Sequence, residues 1–363
     1  MERINLPIDT ILQGDCVSQL KLLPSNSIDL IFADPPYNMQ TEGELLRTNG
    51  TAFDGVTDKW DKFESLSEYD TFCKQWLSEC QRVLKPNGSI WVIGSFQNIF
   101  RLGYIMQDLG FWILNDVIWS KPNAVPNFGG TRFQNSHETL IWCSKNKKSK
   151  YTFNYKTMKA LNGNKQMKSV WDIGICIGNE RLKDDNGKKV HSTQKPEKLL
   201  YNVILSSSKP NDIVLDPFFG TGTTGAISKK LGRHYIGIEK EPFYIEHAFK
   251  RINSTITELD CYSKLELETK PPRISIKELI DKKFLYVGQR IYSKDKLFSA
   301  CICADGHVIT DDGNKNSIHK ISAHFLNATN HNGWDYFWVD YNGDFISIDS
   351  LRYLAHQDME DSI

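Results

Sequence analysis

The fold turns on one stretch, Ile213-Val214-Leu215-Asp216-Pro217-Phe218-Phe219-Gly220-Thr221-Gly222-Thr223-Thr224. A short apolar run ends in an acid and a proline, two glycines follow at alternate positions, and a helical pattern opens at about Thr223. The order is strand, glycine turn, helix. Glycines at such a turn let the backbone come close to a ligand, and a helix N-terminus presents N–H groups with no partner inside the helix. The next apolar run, Tyr235 to Ile238, ends in Glu239, 17 positions beyond Gly222. An acid in that place is suited to accept hydrogen bonds from two ribose hydroxyls. A tight turn with no ligand is the plainer reading of the glycines alone; strand, glycines, helix and acid together weigh against it. The third glycine of G-x-G-x-x-G, which suits a pyrophosphate, is missing, so the glycine pattern by itself does not choose the nucleotide.

Working outward, apolar runs alternate with helical spacing on both sides. Thr10 to Gln13 and Ile28 to Ala33 read as strands, the second nearly continuous in apolar residues and so buried on both faces. Tyr69 to Leu84 has helical spacing and ends before Asn87-Gly88; Ser89 to Ile93 is a strand, Leu102 to Leu109 a helix and Asn115 to Trp119 a strand. Residues 120–190 break the alternation. It resumes with a helix near Pro196 to Ser207, the quoted stretch, and a helix near Phe243 to Ile252. The pattern predicts an α/β domain over 1–258, doubly wound around a mostly parallel sheet. Leu259 to Pro272 reads as a linker, and 273–363 as a small, mainly β domain with strands near 290–292, 298–303, 337–339 and 345–348.

The 363 residues hold 44 Lys plus Arg against 44 Asp plus Glu, which excludes a long charged disordered tail as the dominant feature. Zero net charge argues at face value against a strongly basic nucleic-acid binder, but it hides a local asymmetry. From Lys145 to Lys168 there are eight Lys and no acid, interleaved with Tyr151, Phe153 and Tyr155. Such a segment is suited to neutralise phosphates. The eight cysteines form no C-x-x-C pair, so zinc and disulfides are not expected. No basic-then-apolar leader and no run of about 18 apolar residues is present, so the chain reads as cytoplasmic, with no membrane partner.

The strand Ile28 to Ala33 ends in Asp34-Pro35-Pro36-Tyr37. Two prolines fix the backbone, so a carboxylate, a main-chain carbonyl and an aromatic ring converge on one spot. The lone pair of an exocyclic amine on a base is delocalised into the ring, which makes the amine a poor nucleophile. Acceptors on its N–H groups draw it toward tetrahedral geometry. Asp34 and the Pro35 carbonyl fit that task, and Tyr37 fits stacking on a base taken out of a helix.

Together these residues resemble the amino-group DNA methyltransferases that use S-adenosylmethionine. There DPPY binds the target amine, and an F-x-G-x-G turn, here Phe218, Gly220 and Gly222, binds the cofactor. DPPY preceding the turn by about 180 residues is the order of the β class, with target recognition between the two, here about 120–190. His191-Ser192-Thr193-Gln194-Lys195-Pro196 resembles the H-P-T-Q-K-P motif that completes the cofactor pocket, with Ser192 in place of proline. Further segments, among them Phe111-Trp112-Ile113-Leu114-Asn115-Asp116, Gly130-Thr131-Arg132-Phe133 and His137-Glu138-Thr139-Leu140, look like the HinfI-type and CcrM-type adenine enzymes, the HinfI type more closely. That family modifies adenine in GANTC.

The resemblance implies a Rossmann-like methyltransferase fold and methyl transfer to a flipped adenine by direct displacement. It places Asp34, Pro35, Pro36 and Tyr37 at the reacting amine. It places Asp15, Asp34, His191, Thr193, Lys195, Asp216, Phe218, Gly220, Thr221, Gly222 and Glu239 around the cofactor, and no metal. For double-stranded DNA, the candidates are Arg47 in a 38–63 loop, Asn127 and Arg132 for base edges, and Lys148 for phosphate. In the last domain they are Ser317, His319, Lys320 and Trp334. It further implies a homodimer, a bacterial enzyme associated with the nucleoid, and, in a restriction system, a cognate endonuclease acting separately. A nicotinamide oxidoreductase would not need DPPY. A protein-glutamine enzyme more typically carries Asn before Pro-Pro-Tyr and a cytosine amino enzyme Ser. A non-catalytic DNA-binding protein would leave the glycine turn idle.

Overall fold

The computed structural model describes residues 6–37, 45–46, 52–53, 62–127, 129–163, 165–257 and 274–360. The chain divides into two compact units, Met1–Leu267 and Glu268–Ile363.

The first unit runs β1 (Thr10–Gln13), α1 (Cys16–Leu22), β2 (Ile28–Ala33), β3 (Leu45–Leu46), β4 (Ala52–Phe53), α2 (Leu66–Val83), β5 (Leu84–Gly94), α3 (Ile99–Asp108), β6 (Trp112–Ser120), β7 (His137–Ser144), α4 (Tyr155–Leu161), β8 (Val170–Asp172), α5 (Glu197–Ser207), β9 (Ile213–Asp216), α6 (Thr223–Lys230), β10 (His234–Glu239) and α7 (Pro242–Ser254). Eight strands form one sheet in the order β1-β10-β9-β2-β5-β7-β6-β8. Every neighbouring pair is parallel except those that β7 makes with β5 and β6. The sheet is therefore doubly wound and mostly parallel. β2 is nearly all apolar because it is covered twice. Ile31 and Ala33 share a core with Leu20, Trp76 and Leu102 of α1 to α3, while Leu30 and Phe32 share another with Leu200 and Ile227 of α5 and α6.

Two local expectations change. The helix expected from Tyr69 begins at Leu66, because Ser65 caps it by accepting from the Glu68 backbone N–H. Asn87-Gly88 is not a turn but part of β5. A Cβ on Gly88 would come within 2.9 Å of the Asp29 carbonyl, so the glycine permits close strand approach. A third difference lies in 120–190, where His137–Ser144 enters the sheet as β7 between β5 and β6. The alternation stops because an antiparallel neighbour needs no crossover helix.

The second unit holds an antiparallel sheet of six strands, β11 (Arg290–Ser293), β12 (Ser299–Ile302), β13 (Val308–Ile309), β14 (Lys315–Asn316), β15 (Phe337–Tyr341) and β16 (Asp344–Ser347), in the order β14-β13-β12-β11-β15-β16. Ile291, Val308 and Phe337 share its core with Leu279, Ile321 and Leu351 from helices. Among the described residues no helix is long and apolar enough to cross a membrane.

Candidate active site

β2 and β9 are neighbours, with Ile31 opposite Leu215, yet the chain leaves β2 toward β5 and leaves β9 toward β10, in opposite directions across the sheet. A crevice opens at such a switch point beyond the strand carboxyl ends. There a cavity of about 1040 Å³ is lined by Asp34, Tyr37, Lys195, Asp216, Gly220 and Glu239, among others. Tertiary structure thus sets the two motifs side by side.

The glycine turn is held from within. Gly220 and Gly222 have φ of 49° and 73°, in the left-handed region that favours glycine. The ring of Phe219, a residue the sequence left unassigned, is buried against bare backbone. A Cβ on Gly237 would lie 2.4 Å from it and one on Gly225 2.6 Å. Asp216 Oδ1 accepts from the Phe218 N–H at 2.9 Å and Oδ2 from the Thr224 hydroxyl at 2.6 Å. Burial, with Asp34 and Glu239 nearby, pushes the Asp216 carboxyl up to about 7. Glu239 accepts from Gly220 N at 2.7 Å, Lys240 N at 2.8 Å and Glu241 N at 2.9 Å. Three of its roughly four lone-pair directions are thus used, so it ties the turn to β10 and keeps about one acceptor for a ligand.

The second motif is tied to distant residues. The Tyr37 hydroxyl lies 2.9 Å from Asp34 Oδ1 and 3.0 Å from Glu138 Oε2. Lys195 Nζ donates to Asp34 Oδ2 at 2.6 Å, and Lys121 Nζ donates to Glu138 Oε1 at 2.5 Å. All four charged side chains are largely buried, from 8% to 17% exposed. Burial outweighs the opposing Lys195 and leaves the Asp34 carboxyl above the ordinary aspartate value. Burial also pushes Glu138 up, but Lys195 and Lys121 outweigh that and leave it below the ordinary glutamate value. Burial lowers Lys195, yet Asp34 and Glu138 more than restore it and leave it above the ordinary lysine value. Burial and then the two carboxylates hold Tyr37 well above the usual phenol range, so its proton stays on. Below the prolines, buried Tyr69 of α2 donates to the Pro36 carbonyl at 2.9 Å and is itself held by Asn98 Nδ2. A helix-core tyrosine in the sequence is thus a strut for the turn.

His191 lies against the glycine turn, its Nε2 3.4 Å from where a Cβ on Gly220 would sit. The Thr193 N–H donates to His191 Nδ1 at 3.2 Å. Burial depresses the imidazole to about 4, so the ring is neutral. Thr193, Phe218 and Thr221 line the cavity. So does Asp15, whose carboxylate caps α1 by accepting from Ser18 N at 3.0 Å. Lys195, grouped with the cofactor residues by resemblance, lines the cavity and also reaches the acid of the other motif.

The DNA candidates separate. Asn127 and Arg132 line the cavity. Asn127 Nδ2 donates to the Arg132 carbonyl at 2.9 Å, closing their loop, and the exposed Arg132 guanidinium lies 5.4 Å from the Phe96 ring centroid. Lys148 is not brought there. Because β7 runs antiparallel, the chain after Ser144 emerges at the amino end of β5, where Lys145 N donates to the Gly88 carbonyl and Lys150 N to Asn87 Oδ1. That is the sheet edge opposite Asp34, and Tyr151 and Phe153 pack on Trp142 with centroids 5.3 and 5.6 Å away. Arg47 falls outside the described residues. In the second unit, Ser317 caps the helix Ile318–Phe325 by accepting from Lys320 N, and His319 Nδ1 accepts from Gly333 N at 3.1 Å. Trp334 packs on the core beneath Arg352, 4.3 Å from its centroid, and Lys320 is exposed. Three of these four thus have structural tasks.

Lys121 was not singled out by sequence, and Glu138 stood only within a segment that carries the resemblance, with no role of its own. One follows a strand and the other lies within one, and nothing in the spacing announces a contact 101 positions long.

Comparison with known proteins agrees with this geometry. A family model described as DNA methylase, of the N6/N4 type, matches residues 28–250. The chain belongs to that family. This methylase is 62% identical over 352 residues, 97% of its length and 98% of the relative's, to the Type II methyltransferase M.HinfI of Haemophilus influenzae. It is 42% identical over 248 residues, 68% of its length and 90% of the relative's, to the Type II methyltransferase M2.LlaDCHI of Lactococcus lactis subsp. cremoris. The solved M1.HpyAVI–SAM complex is similar at a TM-score of 0.50 and 26% identity, covering 67% of the methylase and 98% of that chain. The PvuII cytosine-N4 DNA methyltransferase shares the fold at a TM-score of 0.54 and 20% identity, covering 72% and 93%.

Proposed function

We propose that this DNA methyltransferase moves the methyl group of S-adenosylmethionine to the exocyclic amine of adenine in double-stranded DNA, at GANTC, with the target base turned out of the helix. The observation that carries the reading is Asp34, with Tyr37 against it, opening on the cavity that also holds the glycine turn and Glu239.

The residues fit the cofactor. Gly220 leaves the cavity wall without a side chain while Gly222 lets the turn pack on Ala248, Glu239 keeps an acceptor for a ribose hydroxyl, and Asp216 is a buried carboxyl that a cationic ligand would relieve. When bound, the cofactor supplies a methyl group activated on a sulfonium. The chain itself aligns and withholds water. Asp34, paired with Lys195, accepts one N–H of the amine; the Pro35 carbonyl is the second acceptor. Tyr37 presents its ring to the base. Arg132 reaches base edges at the cavity mouth. A palindromic site suits two copies of the chain, the second unit adds contacts along the duplex, and a separate endonuclease cutting the same site would give the methyl mark its use. The nucleoid is then its place of work.

The test is methyl transfer to a GANTC duplex, with the modified base identified by sequencing. Wild type should mark adenine, and Asp34→Ala should lower the rate by at least about 100-fold while still binding cofactor. A wild-type rate from Asp34→Ala, or methyl found on cytosine, would sink the reading.

A further inference from the structure

The Tyr37 hydroxyl has one hydrogen and two carboxylate oxygens at hydrogen-bond distance, Asp34 Oδ1 at 2.9 Å and Glu138 Oε2 at 3.0 Å. A phenol donates once, so at any moment one carboxylate receives the hydrogen and the other does not. Two carboxylates facing one hydroxyl would repel, but each is neutralised from its far side, Asp34 by Lys195 and Glu138 by Lys121. The arrangement comes from the β6–β7 pair. Glu138 is second in β7, opposite Trp119, and Lys121 directly follows β6, with its backbone N–H donating to the Ser136 carbonyl at 2.8 Å. A strand pair outside both motifs therefore delivers a charged, buried clamp to the tip of the tyrosine.

We propose that Glu138, held by Lys121, is a positioning residue for methyl transfer. It acts by taking the Tyr37 hydrogen bond when the target amine claims Asp34. While Tyr37 donates to Asp34, it occupies a lone pair and weakens that carboxylate as an acceptor. Glu138 offers the hydroxyl another place to donate, reached by rotation about one C–O bond, with the ring and both charge pairs left in position. Asp34 is freed for the amine, and the ring stays pinned at its oxygen. The assignment rests on the proposed attack of an amine held by Asp34.

A double-mutant cycle tests it with Glu138→Gln, Tyr37→Phe and the pair, measured as single-turnover methyl transfer at saturating cofactor on GANTC duplex. Glu138→Gln should slow transfer by about 10- to 100-fold with cofactor affinity unchanged. In the Tyr37→Phe background, which keeps the ring but has no hydroxyl to direct, the same substitution should act within about twofold. Equal losses in both backgrounds, or no loss in the first, overturns the inference. Should Glu138→Gln fail to fold or to bind cofactor, Glu138→Asp keeps the Lys121 pair but withdraws from the hydroxyl, and the same pattern is required of it. Failure of the underlying reading shows separately, in wild type: methyl on another base overturns the adenine assignment, and the cycle is then scored on that base. A wild type inert on every DNA overturns both.

Discussion

Asp216→Asn should make this methylase more stable at neutral pH while weakening its hold on the cofactor. The carboxyl is buried and its pKa is pushed from 3.8 up to about 7, chiefly by burial. A raised acid contributes stability that is present below its unfolded value and lost as pH rises through the folded one. Below about pH 4 the acid is neutral folded or unfolded, and the amide offers nothing. From about pH 4 to 7 only the unfolded chain ionises, and the wild type loses about 1.4 kcal/mol per pH unit relative to the variant. Above about pH 7 the difference levels at about 4 kcal/mol. The amide can keep both local hydrogen bonds, since its oxygen accepts from Phe218 N and its NH₂ donates to a reoriented Thr224 hydroxyl. The assay is thermal unfolding of both proteins from pH 4 to 8, with the variant ahead by on the order of 10 °C at pH 8 and level at pH 4. Cofactor binding reads the other side. The sulfonium of S-adenosylmethionine favours the ionised acid, so wild-type affinity should climb as pH rises through about 7. S-adenosylhomocysteine, which lacks that charge, and the Asn variant should both show a flatter profile. A pH-independent stability offset, or a wild type more stable at pH 8, would refute the argument.

Other consequences follow from particular contacts. Gly237→Ala drives a methyl into the Phe219 ring and should cost about 1–3 kcal/mol, with weaker cofactor binding; Phe219→Leu in the same chain should recover part of the loss, as read by urea unfolding and cofactor titration. Lys148→Ala should leave DNA affinity and its salt slope unchanged, whereas Arg132→Ala should weaken binding to GANTC duplex; a fall in the slope for Lys148→Ala would show that the far edge of the sheet touches phosphate after all. Removing residues 273–363 should abolish tight DNA binding and spare cofactor binding, checked by gel shift and calorimetry; unchanged DNA affinity in the shortened chain would count against a DNA role for the second unit.

Local chemistry made much of this protein legible in advance. Strand, glycine turn and helix from Ile213 onward announced themselves because left-handed turns need glycine and buried parallel strands need unbroken apolar runs, as Ile28–Ala33 also shows. Asp34, Tyr37, Asp216 and Glu239 were named from those strand ends. The lysine-rich run could not be placed in advance, because where Lys145 to Lys150 emerge depends on the direction of β7, and strand direction is a property of the sheet rather than of the eight residues His137–Ser144. Fold class and the two motifs were thus readable from local residue patterns. Which charges face each other in the cavity emerged from the packing of distant elements: Lys195 against Asp34, and Lys121 with Glu138 at the tip of Tyr37. An ion pair leaves no periodicity in a chain, and a buried charge is tolerated only where folding brings it a partner.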